Sequence, residues 1–237
     1  LEPDDHVVFQ NVHKAFGTRR VLVDYCLEVR PGETFAIMGP SGAGTSVTLK
    51  HIVGLLAPDA GKVFVGDVEV TNSDRDTIRR VRSDIGYLFQ SGALLNWMTV
   101  GENVSLPLRE EKGKKRSDED IHKAVYEKLK HVNMASEVHK YPAEISGGMR
   151  KRAALARVLV SEPRIILYDE PTAGLDPRMS ATIANLITEV QRRFGVTSIV
   201  VTHDLKLAFE VADRIGFMHL GRLLEIDAPS KLRASRN

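Results

Sequence analysis

The sequence predicts an α/β fold with a mainly parallel sheet. Short apolar runs without alternating polar residues, at 34–38 and 165–168, indicate strands that are buried on both faces. Amphipathic helical patterns lie between such runs, so strand and helix signals alternate along the chain. Ligands of sheets of this class bind beyond the carboxyl ends of the strands. The segments that follow each apolar run are therefore the first candidates for a functional site.

Composition limits the class of protein. The 237 residues are 43% hydrophobic and 27% charged, which suits one large domain or a core with an inserted subdomain. The formal net charge of +2 gives no indication of a nucleic-acid partner, and we expect none. Cys26 is the single cysteine, so no internal disulfide forms. No apolar run approaches the roughly 20 residues of a membrane span, and we expect no signal peptide.

The predicted elements follow in chain order. Strands are expected at 6–10, 21–29, 34–38 and 85–89, a helix from Ser46 to Pro58, and a hairpin at 62–70. Helix signals dominate from 91 to about 160, including an amphipathic helix behind Ser117 with an apolar stripe at Ile121, Val125, Leu129 and Val132. Further elements are a strand at 165–168, a helix near 178–194, a strand at 196–202 and a helix near 205–212.

We predict that residues 1–237 form a single domain. Its core comprises residues 1–90 and 156–237, and a helical subdomain, residues 91–155, is inserted between them. The boundaries are placed where strand signals stop and return along the chain.

The segment GPSGAGTS, residues 39–46, has the frame of a phosphate-binding loop. It fits the pattern G-x-x-x-x-G-K-[ST], except that Thr45 occupies the lysine position. In this frame backbone N–H groups surround the phosphates, and the hydroxyl of Ser46 reaches Mg²⁺. The lysine normally gives a positive charge to the β- and γ-phosphates. The predicted nucleotide-binding residues here are Gly39, Pro40, Ser41, Gly42, Ala43, Gly44, Thr45, Ser46 and Val47.

Two adjacent carboxylates, Asp169 and Glu170, follow the apolar run at 165–168. Asp169 is placed to bind Mg²⁺, with capping of a loop as the structural alternative. Glu170 is a candidate general base for an attacking water. Adjacent carboxylates disfavour each other unless a cation or a proton lies between them. His203 follows another apolar strand, and its position alone leaves open whether it is catalytic or only hydrogen-bonded within the fold.

Five separate segments occur in the order of the ABC ATPase family, which the chain resembles over nearly its whole length. They are residues 39–46, Gln90 in LFQSG, ISGGM at 145–149, IILYDE at 165–170 followed by AGLD, and His203 in VVTHD. The resemblance implies a P-loop NTPase (RecA-like) core with an N-terminal antiparallel β subdomain and an inserted α-helical subdomain. It also implies that the chain binds ATP and Mg²⁺ and hydrolyses ATP.

The resemblance implies roles for individual residues. Gln90 would contact Mg²⁺ and the attacking water, Glu170 would be catalytic, and His203 would sense the γ-phosphate. Phe16 matches the aromatic residue that stacks on adenine. A half-buried aromatic at a strand end is the structural alternative for Phe16.

The segment at 145–149, here called the signature segment, implies a dimer. In the family it contacts ATP held by a second subunit, so Ser146, Gly147 and Gly148 are predicted nucleotide contacts in a head-to-tail homodimer. Three cations, at 150–152, lie in the first turn of the helix that follows, where they oppose the helix dipole. The sequence explains them either by a phosphate at this helix end or by a solvated charge cluster.

The residues around the motifs are similar to one group of the family, the ATPases of MCE-associated lipid transporters (Mla/Mkl type). The similar segments are SVTLKHIVGLL, FQSGALL and SGGMRKRAALARVL, at 46–56, 89–95 and 146–159. This resemblance implies an integral membrane permease and an MCE-type lipid-binding protein as partners. It also implies a phospholipid or another hydrophobic cargo, and a peripheral location on the cytoplasmic side of the inner membrane.

Residues 91–108 would form the contact with the permease. An apolar cluster follows Gln90, and exposed apolar clusters often mark partner sites. The alternative is that the cluster packs inside the helical subdomain. Its members are Leu94, Leu95, Trp97 and Met98.

Thr45 leaves three interpretations open: a substitution introduced to block turnover, a natural variant with weak activity, or a subunit with a structural role. Losing one charge-assisted hydrogen bond costs about 1.5–3 kcal/mol. The sequence offers no obvious substitute cation, because Lys50 should point away from the loop. Ser46, Gln90 and the residues at 169–170 and 203 are all present.

Two further functional classes compete with an energy-coupling ATPase. One is a regulatory or structural module that binds ATP without hydrolysing it. The other is a soluble ABC protein of DNA repair or translation. The sequence shows no long coiled-coil insertion, no second ATPase half and no strongly basic composition, which disfavours that last class.

Overall fold

A computed structural model describes residues 5–40, 42–111 and 116–234. The strands in these residues are β1 (Val7–Phe16), β2 (Arg19–Val29), β3 (Thr34–Met38), β4 (Ala60–Val65), β5 (Val68–Glu69), β6 (Ile85–Leu88), β7 (Ile165–Asp169), β8 (Thr197–Thr202), β9 (Arg214–His219) and β10 (Arg222–Asp227). The helices are α1 (Thr45–Ile52), α2 (Arg75–Ser83), α3 (Val100–Glu110), α4 (Asp118–His131), α5 (Gly147–Leu159), α6 (Pro177–Phe194), α7 (Leu205–Val211) and α8 (Pro229–Ala234). No helix in the described ranges is long and apolar enough to cross a membrane.

The strands form two sheets. One is antiparallel with the order β2-β1-β4-β5, and the other has the order β10-β9-β3-β8-β7-β6. In the larger sheet β3 runs parallel to β8 and β9, and β7 runs parallel to β6 and β8, while β10 pairs antiparallel with β9. Every residue of β3, β7 and β8 is buried, which explains why their sequences lack polar alternation. The predicted α/β class is confirmed.

Helix α1 ends earlier than the apolar pattern predicts. It stops at Ile52, and Gly54 adopts a left-handed φ of +61°. A Cβ atom at Gly54 would lie 2.9 Å from Cδ1 of Ile78 on α2, so packing at this turn also favours glycine. Leu55, an apolar residue within the predicted helix, is 53% exposed. The prediction of a helix up to Pro58 is therefore wrong, because the glycine stops it.

Some elements are longer than predicted, or were not predicted at all. Strand β1 continues well beyond residue 10, but its register is irregular between Phe9 and Val12, where Asn11 has a φ of +46°. Such a bulge interrupts the alternation by which a strand is recognised. Elements absent from the sequence prediction are α2, β9, β10 and α8.

Helices α3, α4 and α5 share one hydrophobic core with β6, β7 and α6. Helix α3 begins with a capping box, in which Oγ1 of Thr99 accepts from the N–H of Glu102 and the Glu102 carboxylate accepts from the N–H of Thr99. Residue 155, where the predicted subdomain ends, lies inside α5, so one continuous helix connects the two predicted parts. The division into core and subdomain stays a prediction.

Candidate functional site

The parallel strands bring the predicted site residues to one edge of the larger sheet. Met38 at the end of β3 pairs with Thr202 of β8, Asp169 of β7 pairs with Val201, and Leu88 of β6 pairs with Tyr168. The segments that follow these strands, 39–46, 89–90, 170 and 203, therefore emerge side by side. Four stretches that are distant in sequence form one site.

The loop at 39–46 has a backbone that requires glycine. Gly44 has a φ of +104°, and a Cβ atom there would lie 2.7 Å from the carbonyl oxygen of Val21. A Cβ atom at Gly39 would lie 2.9 Å from the carbonyl oxygen of Met218. Gly44 is the N-cap of α1, without a side-chain hydrogen bond to the first N–H groups and without an acidic residue in the first turn. An uncapped helix start of this kind suits an anion. Ser41 lies outside the described residues.

Asp169 is held from two sides. The hydroxyl of Ser46 donates to Oδ1 of Asp169 at 2.8 Å, and the hydroxyl of Tyr87 donates to Oδ2 at 3.1 Å. The Asp169 side chain is buried, and burial together with this carboxylate raises the pKa of Tyr87, so the phenol stays protonated and donates. The two residues predicted to bind Mg²⁺, Ser46 and Asp169, are thus already in contact. This donor set fits Mg²⁺, which prefers a few protein oxygens with water and phosphate.

The described residues include no group of three or more His, Cys, Asp or Glu side chains that could bind a metal ion by themselves. A cation at Ser46 and Asp169 would therefore need further oxygens from water or phosphate.

Glu170 and His203 form a hydrogen-bonded pair. Nδ1 of His203 lies 2.8 Å from Oε1 of Glu170, and this bond raises the pKa of His203. The hydroxyl of Thr202 donates to Oε2 of Glu170 at 3.4 Å. Glu170 has a φ of +49°, in the left-handed region that residues with a side chain seldom adopt. The carboxylates of Asp169 and Glu170 thus have separate hydrogen-bond donors.

The three cations of the signature helix have backbone partners that neither sequence explanation predicts. Lys151 is buried, and its Nζ donates to the carbonyl oxygens of Gln90 and of Glu170, the latter at 3.2 Å. Arg150 donates to the carbonyl oxygen of Ile145 at 2.9 Å, and Arg152 to that of Val132 at 2.9 Å. These side chains satisfy backbone acceptors, and only Arg150 is exposed, so their positions are explained without a bound phosphate.

Lys151 is a functional candidate that the sequence analysis missed. It connects the loop after β6 to the residue after β7, because Gln90 and Glu170 accept from the same ammonium. Burial lowers the pKa of Lys151, while the carboxylates of Glu170 and Asp169 oppose that shift. Sequence signals for such a residue are weak, since only the fold brings 90, 151 and 170 together.

The start of the signature helix has structural explanations of its own. Oγ of Ser146 caps α5 by accepting from the N–H of Met149 at 3.3 Å. A Cβ atom at Gly148 would lie 2.7 Å from Sδ of Met179, whereas at Gly147 the nearest atoms are 3.8 Å away. A side chain at Gly148 would therefore displace the side chain of Met179, whereas Gly147 has no such contact. The predicted nucleotide contacts of these residues stay predictions.

The end of the β1–β2 hairpin lies against the phosphate loop. Phe16 is 47% exposed, which fits both a ring available for stacking and a half-buried aromatic at a strand end, and Nζ of Lys14 lies 5.6 Å from its centroid. Arg19 donates from Nη2 to the carbonyl oxygen of Gly42 at 2.8 Å. Arg19 is thus a cation close to the loop that was not obvious from the sequence, since it lies 26 residues before position 45.

The apolar cluster after Gln90 is only partly exposed. Trp97 is 75% exposed, whereas Leu94 packs against the core. The buried amide of Asn103 fixes this segment, accepting from the N–H of Leu95 at 2.7 Å and donating to the carbonyl oxygen of Met98 at 3.0 Å. The cluster therefore divides between a packed side and one exposed ring.

Comparison with known proteins identifies relatives. A family model described as ABC transporter matches residues 22–173. The chain is 41% identical over 205 residues to the "Probable ribonucleotide transport ATP-binding protein mkl" of Mycobacterium leprae, covering 86% of this chain and 58% of that protein. It is 37% identical over 223 residues to the "Methionine import ATP-binding protein MetN" of Xanthomonas axonopodis pv. citri, covering 92% and 66%. The chain thus spans less than two thirds of the length of either relative.

A solved structure resembles the fold. It is the dimeric, post-hydrolysis state of the ATP-binding cassette MJ0796 bound to ADP and Pi, with a TM-score of 0.86 and 33% identity. The match covers 94% of this chain and 98% of that one. Fold and sequence therefore point to the same group of proteins.

Proposed function

Because the chain belongs to the ABC transporter family, we propose that it is the ATP-binding subunit of a transporter and couples ATP binding and hydrolysis to transport. This proposal is carried by one observation, that three features lie together at one edge of the larger sheet. These are the glycine-dependent loop before α1, the Ser46–Asp169 contact and the Glu170–His203 pair. Together they offer a phosphate site, a metal site and a base within one constellation.

Each side chain has a task in this proposal. The loop N–H groups and the start of α1 bind the phosphates, and Phe16 stacks on adenine. Ser46 and Asp169 hold Mg²⁺ together with the side chain of Gln90, and the ion when bound neutralises charge on the β- and γ-phosphates. Glu170 accepts a proton from the attacking water, and His203, bonded to it, reports on the γ-phosphate.

A working site needs two copies of the chain. Ser146 and Gly147 are exposed at the start of α5 and Gly148 is buried beside them. In this proposal all three contact ATP held by the second copy of a head-to-tail homodimer. The relative of known structure is dimeric by its own description, which supports this arrangement.

The proposed membrane partner is an integral permease, with Trp97 at the contact. An exposed Trp beside a packed loop suits a hot spot of an interface. In this arrangement the chain is peripheral, on the cytoplasmic side of the inner membrane. Cross-linking from residue 97 in membranes that contain the assembled transporter tests the contact, with Tyr126, a 55% exposed ring on α4, as the matched position. Cross-links to a membrane protein from 126 alone would contradict the proposal.

The finer proposal is that the cargo is phospholipid or another hydrophobic molecule, with an MCE-type protein as a further partner. It rests on the resemblance of the segments at 46–56, 89–95 and 146–159 to the MCE-associated ATPases. The curated relatives are named for ribonucleotide and for methionine transport. Stimulation of phosphate release in the reconstituted complex by phospholipid, and not by a ribonucleotide or methionine, would support the lipid assignment, and the reverse pattern would contradict it.

The decisive experiment is phosphate release from Mg²⁺-ATP by the unmodified chain and by its Thr45→Lys variant at equal, high protein concentration. Asn185→Lys adds the same charge at an exposed position of α6 and is the matched control. Turnover by Thr45→Lys alone would show an ATPase that is blocked at one position. Turnover by both would show that Thr45 is tolerated.

Thr45 favours a second candidate, a subunit that binds ATP without hydrolysing it. Threonine is neutral and cannot stabilise the charge of the transferring phosphoryl group. This candidate predicts ATP binding without phosphate release by the unmodified chain, even beside its permease. Phosphate release under those conditions would exclude it.

A further inference from the structure

Arg19 approaches the phosphate loop where a glycine leaves room for it. Its Nη2 donates to the carbonyl oxygen of Gly42 at 2.8 Å. A Cβ atom at Gly42 would lie 2.8 Å from the same nitrogen and 3.9 Å from Cζ. The guanidinium therefore rests directly on the loop, and the absence of a side chain at position 42 makes this approach possible.

One hairpin delivers both an aromatic ring and a cation to the loop. Phe16 ends β1, Arg19 begins β2, and the two residues are direct partners in the antiparallel register. Directly opposed residues of such a pair project their side chains from the same face. A nucleotide with its base on Phe16 and its phosphates at Gly42 and Gly44 would therefore pass next to Arg19.

The charge of Arg19 is available. Its contact with Gly42 uses one of five guanidinium N–H groups, and no carboxylate of the described ranges forms an ion pair with it. Arginine stays protonated and binds phosphate oxygens with two parallel hydrogen bonds. Thr45, in contrast, brings no charge, and Lys50 is exposed at the last turn of α1.

We propose that Arg19 binds the polyphosphate of the nucleotide and supplies the positive charge that Thr45 does not. This inference rests on the proposed function, because it takes ATP as the ligand of the loop. The chain then keeps one cation at the phosphates, but brings it from the β1–β2 hairpin instead of from the loop itself. The contact with Gly42 positions the guanidinium before the nucleotide arrives.

The test is equilibrium binding of ATP, ADP and AMP, without turnover, to the full chain and to Arg19→Gln. We expect Arg19→Gln to weaken ATP binding by about ten- to hundredfold, ADP binding by less, and AMP binding little. Arg20→Gln is the matched control, since Arg20 is the exposed neighbour on the opposite face of the strand, and it should leave all three affinities nearly unchanged. In a Thr45→Lys background the effect of Arg19→Gln should shrink, because the two cations would share one task.

Three results would overturn the inference. If Arg19→Gln binds ATP as tightly as the unmodified chain while Thr45→Lys binds it more tightly, Arg19 does not supply the charge that the loop lacks. An equal loss for ATP, ADP and AMP would show that Arg19 only positions the loop. Failure of every variant to bind ATP, including Thr45→Lys, would overturn the proposed function and this inference with it. Unfolding curves of Arg19→Gln that match those of Arg20→Gln would verify that the variant is folded.

Discussion

Two halves of the candidate site differ in how their side chains are held. At the strand ends, Asp169 is bonded to Ser46 and Tyr87, and Glu170 is bonded to His203, so both carboxylates are fixed within the fold. The phosphate loop has an uncapped helix start and a neutral residue at position 45, and it receives its cation from an exposed hairpin. The side chains at the strand ends are thus fixed before a ligand binds, whereas the phosphate loop keeps N–H groups that a ligand would satisfy. Activity and affinity should therefore respond to different substitutions.

The largest effect is expected from Glu170→Gln in the Thr45→Lys background. Glutamine keeps the size of the side chain but cannot accept the proton, so phosphate release should fall about hundredfold or more while ATP binding persists. Phosphate release and ATP binding are measured on the same sample. Glu210→Gln, on the exposed face of α7, is the control. A variant that loses binding and turnover together would contradict the separation between the two halves.

Gly44→Ala should damage the phosphate half through its backbone. The φ of +104° and a Cβ position 2.7 Å from the carbonyl oxygen of Val21 require the loop to move. We expect a lower free energy of unfolding, by about 1–3 kcal/mol, and loss of ATP binding. Gly195→Ala is the control, since Gly195 also has a positive φ, of +64°, but no atom lies within 4 Å of its Cβ position. Equal losses in the two variants would show that the approach of Val21 does not matter.

Lys151→Met tests how the half of the site at the strand ends is held together. It removes the ammonium that donates to the carbonyl oxygens of Gln90 and Glu170, of which the latter still accepts from the N–H of Ala173, at an expected cost of about 1–3 kcal/mol in the free energy of unfolding. Urea unfolding measures this cost. Lys130→Met, at an exposed position of α4, should change the free energy by less than about 0.5 kcal/mol. If both variants unfold alike, Lys151 does not hold the two segments.

The smallest effect is the pH dependence of the Glu170–His203 pair. The pair raises the folded-state pKa of His203 above its usual value of about 6.5. Its stabilisation is therefore fully present below the unfolded pKa and is lost as the pH rises through the folded pKa. His203→Asn should lower the free energy of unfolding more at pH 6 than at pH 9, by less than about 1 kcal/mol because the ring is exposed. A larger loss at pH 9 would contradict this sign.

The sequence was sufficient for the parallel sheet and for the sheet edge at which the candidate residues meet. Apolar runs identify β3, β7 and β8 because these strands are buried on both faces, and the loops after them follow from strand direction. The sequence was insufficient where contacts between distant segments determine which side chains reach the site. The hydrogen-bond partners of Tyr87, Lys151 and Arg19 lie 82, 61 and 23 residues away in the sequence, respectively. No local sequence pattern indicates such pairs.

The errors in local structure have physical reasons too. Helix α1 was predicted too long because apolar periodicity continues past Gly54, while the left-handed backbone there ends the helix. Strand β1 was predicted too short because the irregular register near Asn11 hides its continuation. Periodicity describes which face of an element is buried, but not where the backbone departs from regular geometry.

The hydrogen bonds of Asn103 and Arg157 have a mechanical consequence. Arg157 donates to the carbonyl oxygens of Gly92 and Ala93 at 2.8 and 2.7 Å, and Asn103 holds the segment from Leu95 to Met98. The stretch between Gln90 and Trp97 is thus tied to two helices, through Arg157 to α5 and through Asn103 to α3. A load on the exposed ring of Trp97 would therefore be shared with both helices and would not be taken up by this segment alone.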